Sequence, residues 1–166
     1  MIIRHEKPND FEAIFEVEKA AFQREDEAII VEKLRQDNAI VCSLVAIIDN
    51  AIVGHAVFSK GILKSQMHEE TVVALGPIAV HPSYQNMGIG KSLINKGNQY
   101  CREQGFAFVA VLGHTTYYPK FGFQPSYNFN ISCEFEVPDD AFMILELKKG
   151  ALLMSQGTFF YHQAFR

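Results

Sequence analysis

The chain has 166 residues, 48% of them hydrophobic and 20% charged, with a formal net charge of −4. That length suits one domain with a real core, and the weakly acidic balance speaks against a nucleic-acid binder, which carries a basic face. The N-terminus has no apolar leader core and no run reaches membrane-spanning length, so a cytoplasmic protein without membrane contact is expected. Cys42, Cys101 and Cys133 are odd in number and lack C-x-x-C spacing, so reduced thiols and no metal site are expected.

In chain order, Ile2 to His5 reads as a short strand. Asn9-Asp10 offers a helix N-cap, and Phe11, Ile14, Phe15 and Val17 recur at helical spacing to about Ala21. A second helix spans about Glu27 to Arg35, with its charges read as a solvated face. Val41 to Ile48 is an apolar strand, Asp49-Asn50 a turn, and Ile52 to Lys60 the returning strand of a hairpin. Gly61 to Glu70 reads as a polar loop. Thr71 to Val80 is the central strand, interrupted by Gly76-Pro77. Proline has no N–H for a ladder, so this strand is expected to carry a bulge or an open edge. A helix from Gly88 to about Gln104 is ended by Gly105. Phe106 to Leu112 follows as a strand parallel to the central one, since a helix joins the two. Phe129 to Val137 and Ala141 to Leu147 complete the clear elements, and the apolar tail from Gly150 is expected to pack on the domain. The expectation is one α/β domain over 1–166, a single mixed sheet flanked by helices.

The most informative stretch is Leu75 to Ile94, where an apolar strand runs into a Gly-containing turn that opens a helix. Backbone N–H groups and the positive helix end then converge on one spot suited to a phosphate or pyrophosphate. Gly90-Lys91-Ser92 reproduces the end of a nucleotide P-loop, but its opening Gly would fall on Gln85. A dinucleotide fingerprint fits Gly88 and Gly90 and fails at Leu93. Gln-x-x-Gly-x-Gly, here Gln85, Gly88 and Gly90, fits directly after Ile78-Ala79-Val80.

This last pattern resembles the acetyl-CoA-binding motif of the GNAT superfamily of N-acetyltransferases. The resemblance extends to Tyr118-Pro-Lys-Phe-Gly-Phe123, which matches the superfamily's Tyr-x-x-x-Gly-Phe segment, and with the strand order it covers most of the chain. The ending, through Leu112-Gly113 and Tyr161 to Phe165, resembles a small bacterial branch of predicted N-acetyltransferases. The resemblance implies a mostly antiparallel sheet whose bulged central strand splays from its neighbour, and acetyl-CoA as cosubstrate. It implies cofactor contacts along Ile78, Ala79 and Val80 and at Gln85, Asn86, Met87, Gly88, Ile89, Gly90 and Lys91. In the superfamily an amine attacks the thioester directly and the matching tyrosine commonly protonates the departing sulfur. Tyr118 is the corresponding acid, a phenol that stays protonated at neutral pH.

The acceptor is expected to be a primary amine on a small molecule or protein. A homodimer is possible on the apolar tail. Superfamily members that use a general base often place Glu or His on the central strand, whereas the same-face positions here are Ala74 and Gly76. Glu70, His81 and His114 are weaker candidates. The alternative reading is a non-catalytic acyl-CoA-binding or sensing module on the same fold.

Overall fold

The computed structural model describes residues 1–166. Three helices and nine strands divide between two compact units, Met1–Phe58 with Gly76–Gly97, and Ser59–Leu75 with Asn98–Arg166. The strands run in the order β1-β2-β3-β4-β5-β8-β6, with β9 paired to β3 and β7.

In the first unit β1 (Ile2–His5) lies antiparallel to β2 (Ile40–Ile48), from Ile2 opposite Ile47 to His5 opposite Leu44. Helix α1 (Phe11–Phe22) buries Ile14 and Val17 and ends where Gln23 enters the left-handed region. Helix α2 (Asp26–Gln36) buries Ala28, Val31 and Leu34. It has acids in its first turn and Lys33 and Arg35 in its last, the favourable order for the helix dipole. Asp49 and Asn50 both have positive φ, 48° and 63°, as a tight hairpin between β2 and β3 (Ala51–Lys64) requires. The solvated-face reading of α2 needs correction. Glu27 is buried and paired with Arg24, and Arg35 reaches Glu6.

Helix α3 (Ile89–Glu103) lies close over this part of β3. A Cβ on Gly54 would stand 2.8 Å from Ile89 Cγ2, and one on Gly97 would stand 2.0 Å from the Phe58 ring. Only hydrogen fits at these two positions.

In the second unit the first part of β4 (Glu69–Val80), up to Leu75, pairs parallel with β5 (Phe108–Leu112), Val73 opposite Val109 through Leu75 opposite Val111. β8 (Phe142–Glu146) runs antiparallel to β5, and the short β6 (Gln124–Pro125) pairs with β8. β7 (Ile131–Cys133) lies parallel to β9 (Gly157–Phe160), which is antiparallel to the far end of β3. The core gathers Leu63, Val72, Ala74, Phe108, Phe142 and Phe159. The sheet is therefore mixed and mostly antiparallel, as the sequence led us to expect.

Three boundaries differ from the sequence reading. Residues 61–64 and 69–70 are strand, leaving a tight turn closed by the Ser65 N–H on His68 O. Gly61 stays in β3 because the Phe159 ring stands where its Cβ would be, at 2.6 Å, and β9 supplies the pairing. The Phe129–Val137 run contributes only the three residues of β7, and Ala141–Leu147 is followed by a further strand, β9. The tail packs as expected. Arg166 Nη2 meets Glu134 Oε1 at 2.7 Å, and the Tyr161 N–H donates to the other Glu134 oxygen at 2.5 Å.

Candidate active site

After β4 the chain turns sharply. The His81 N–H donates to Val53 O at 2.8 Å, and His81 Nδ1 accepts from the Ser83 N–H at 3.2 Å, shaping a 3-10 turn over Pro82–Tyr84. Gln85 Nε2 then reaches back to Val80 O at 3.1 Å, which ties the loop to the end of its strand. This contact gives the motif glutamine a mechanical task.

Asn86 and Gly88 take positive φ, 62° and 78°. Gly88 O accepts both the Ser92 N–H and the Ser92 hydroxyl at 3.1 Å, so Gly88 caps α3. The N–H groups of Ile89, Gly90 and Lys91 therefore have no carbonyl to meet inside the helix. Ile89 is buried and anchors the turn, whereas Gln85 to Gly88 and Lys91 are exposed. A Cβ on Gly88 would meet no protein atom. Exposed backbone donors, a positive helix end and an unobstructed approach are what an anionic pyrophosphate needs.

Upstream of the turn Ala79 is buried, while Ile78 and Val80 are half-buried on the opposite parity. These three residues lie beyond Leu75, the last β4 residue paired with β5. Gly76, the next residue, has φ +136° and an open Cβ direction.

Tyr118 begins the 3-10 turn Tyr118–Phe121 and is 7% exposed. Its ring packs edge-on against Tyr117 at 5.1 Å and Phe123 at 5.8 Å. Gly113 presses on it, since a Cβ there would stand 2.6 Å from Tyr118 Cε2. Burial, and to a lesser degree Tyr117, push the Tyr118 hydroxyl up to about 12. It keeps its proton at neutral pH and is a donor only to a group that needs one.

The strand position and two of the alternative bases, His81 and His114, have other surroundings to answer to. Ala74 is buried in the second unit's core. His81 Nδ1 is engaged by Ser83. His114 is exposed, and its carbonyl serves the turn to Tyr117. Glu134, one of the acids near an expected acceptor loop, is committed to Arg166 and to the Tyr161 N–H. No group of three or more His, Cys, Asp or Glu residues is placed to hold a metal, and no helix is long and apolar enough to cross a membrane.

Residues 7–123 match the model of the acetyltransferase (GNAT) family. The chain belongs to that family. It is 30% identical to the uncharacterized N-acetyltransferase YhbS of Escherichia coli K12, over 99% of this chain and 98% of YhbS. It is 40% identical over 119 residues to the uncharacterized N-acetyltransferase YjhQ of the same organism, a match spanning 70% of this chain and 66% of YjhQ. The crystal structure of E. coli YhbS in complex with CoA superposes with a TM-score of 0.93, covering 99% of this chain and 91% of that one. A GNAT family acetyltransferase from Brucella melitensis in complex with acetyl-CoA is 33% identical, with a TM-score of 0.82 and coverage of 99% and 97%. As a GNAT chain it carries the motif turn and the Tyr-x-x-x-Gly-Phe segment, the features that pointed to the family from sequence.

Proposed function

We propose that residues 1–166 form one acetyl-CoA-dependent N-acetyltransferase domain that transfers acetyl to a primary amine by direct attack on the thioester. The observation that carries this reading is the Gly88 cap. It leaves the Ile89, Gly90 and Lys91 N–H groups without an intrahelical acceptor beside the exposed Gly88, where even a Cβ would meet no protein atom. CoA bound to YhbS and acetyl-CoA bound to the Brucella protein support the choice of ligand.

The residues present fit such a ligand. The N–H groups of Gln85 through Lys91 bind the pyrophosphate, with Lys91 adding charge beside it. Ile78, Ala79 and Val80, beyond the last β4 residue registered with β5, offer strand backbone to the pantetheine arm. Acetyl-CoA, when bound, supplies an activated acyl thioester. A β4 N–H near Ile78 orients and polarises its carbonyl, in the manner of an oxyanion hole. Tyr118 holds a proton on its phenol oxygen, available to the leaving thiolate.

A thermal shift with acetyl-CoA, ATP plus magnesium, and NADH in parallel tests the assignment. A ligand at about 100 times its dissociation constant adds roughly 2.7 kcal/mol. A shift with acetyl-CoA alone is expected, and none with acetyl-CoA refutes the reading. Ala74 and Gly76, at the strand positions where a base would stand, favour a second reading as an acyl-CoA-binding module. Acetyl-CoA binding without amine-dependent thiol release across an amine library would select that module.

A further inference from the structure

The proposed chemistry leaves unused a polar chain inside the first unit. Glu18 of α1 and His55 of β3 are both fully buried, and Glu18 Oε1 lies 2.6 Å from His55 Nδ1. At the other side of the ring, Ser43 Oγ of β2 lies 2.8 Å from Nε2. The same hydroxyl lies 2.6 Å from Glu6 Oε2, and Glu6 receives Arg35 Nε and Nη2 of α2, each at 3.0 Å.

Glu, His and Ser in this order look like a nucleophilic triad, in which a neutral imidazole lone pair takes the serine proton. Counting protons gives the opposite direction. Burial alone would raise the Glu6 carboxyl, but the Arg35 fork and the Ser43 hydroxyl outweigh it and hold Glu6 below the usual carboxylate range. An ionised Glu6 only accepts. Ser43 has one proton, and at 2.6 Å Glu6 takes it. The Ser43 oxygen must then accept from His55, so Nε2 carries hydrogen and has no lone pair to act as a base. Across the ring, Glu18 Oε2 is buried without a hydrogen-bond partner. A bare carboxylate there would be costly, so a second proton lies in the Oε1–Nδ1 bond. The Glu18–His55 pair is neutral as a whole, and Glu6 is balanced by Arg35.

We propose that Glu6, Ser43, His55 and Glu18 form a one-way hydrogen-bond chain whose direction is set by the charge on Glu6. With Glu6 ionised, the chain clamps α1 and α2 to β2 and β3, and Ser43 is inert. With Glu6 neutralised, Glu6 donates to Ser43 and Ser43 turns its proton to Nε2. The proton displaced from Nε2 passes to the otherwise unpartnered Glu18 Oε2, so the pair stays neutral while the chain reverses. The input end is accessible. A groove of about 460 Å³ runs along His5, Glu6, Arg35, Asn38, Cys42 and Ser43. The charged and titratable groups around the chain are Glu6, Arg35, Glu18, His5 and Lys96 of α3, together with the Cys42 thiol, which burial and the Glu6 charge, against Lys96, push up to about 12.

The test is ¹⁵N NMR of the histidine ring nitrogens at neutral pH, in the wild type and in Glu6→Gln. In the wild type a slowly exchanging proton on His55 Nε2 is expected. In Glu6→Gln the new amide donates to Ser43, so the Nε2 proton should vanish while the one on Nδ1 stays. An unprotonated Nε2 in the wild type overturns the proposal, as does an Nε2 proton unchanged in the variant. Should Glu6→Gln fail to fold, the wild-type spectrum decides, together with a serine-reactive fluorophosphonate. Labelling of Ser43 by that reagent would mean an activated hydroxyl and the opposite direction.

Discussion

Replacing Gly113 by Ala tests whether the position of Tyr118 matters to turnover. The new Cβ would stand 2.6 Å from Tyr118 Cε2 and 3.3 Å from Cδ2. Ordinary carbon contacts begin at roughly 3.5 Å, so the ring must retreat by about 1 Å. Tyr117 and Phe123 pack against it edge-on, and the side chain has little free space to take up. A misplacement of about 1 Å in catalytic geometry costs up to roughly 100-fold, equivalent to about 2.7 kcal/mol of barrier. The fold should survive. Overpacking costs ~1–3 kcal/mol, partly offset by the ~0.4–1 kcal/mol gained when Ala replaces Gly in the unfolded chain. The assay is kcat by thiol release, using the amine that a library screen returns, with CoA affinity measured by calorimetry. We expect kcat to fall by about ten- to a hundred-fold while CoA affinity holds. Adding Gly113→Ala to Tyr118→Phe should cost little more, since both act on one hydroxyl. A folded Gly113→Ala variant with kcat within about twofold of wild type would refute the reasoning.

Tyr118→Phe alone should lower kcat by about 100-fold or more, in the range of general acid catalysis, and leave CoA affinity nearly intact. An unchanged rate in a thiol-release assay removes Tyr118 as acid. Gly97→Ala should destabilise the protein by ~1–2 kcal/mol. The ~1 kcal/mol gained in helix propensity is outweighed by overlap with the buried Phe58 ring. Urea midpoints should show the loss, and Phe58→Leu in the same chain should recover part of it. Asp10 is held below the usual carboxylate range by Arg4, with the Lys7 N–H adding to this against burial. Its folded form is the more acidic, so its stabilising effect is full above about pH 4–5 and fades as pH falls through the folded value. Melting temperatures from pH 7 to pH 3 should show a shallower acid slope in Asp10→Asn, and an identical slope would rule this out.

Much of the candidate site was legible because its residues are local. Gln85 to Lys91 form a turn and one helix start, and consecutive residues carry that information. Tyr118 was legible through resemblance to the family, whereas its tight seat against Gly113 was not, since nothing in a Leu-Gly-His run announces a ring. The order β4-α3-β5 followed from connectivity, because a helical crossover makes neighbouring strands parallel. What stayed hidden depends on distant partners. β9 exists as a strand because β3 and β7 accept it, and the same pairing carries β3 past Gly61. The chain from Arg35 to Glu18 draws on five separated stretches of sequence. Its only local trace was a Glu, a Ser and a His at inward positions of apolar elements.

The two compact units alternate along the chain. The first takes Gly76–Gly97 from beyond β3, and the second takes Ser59–Leu75, which lies between the two pieces of the first. No single scission can release either unit whole, so limited proteolysis should yield nicked protein that stays together rather than a free half. During synthesis, every residue of the first unit has been made once Gly97 is added. The far end of β3 must wait roughly a hundred further residues for β9, a long loop to close and a slow step to complete.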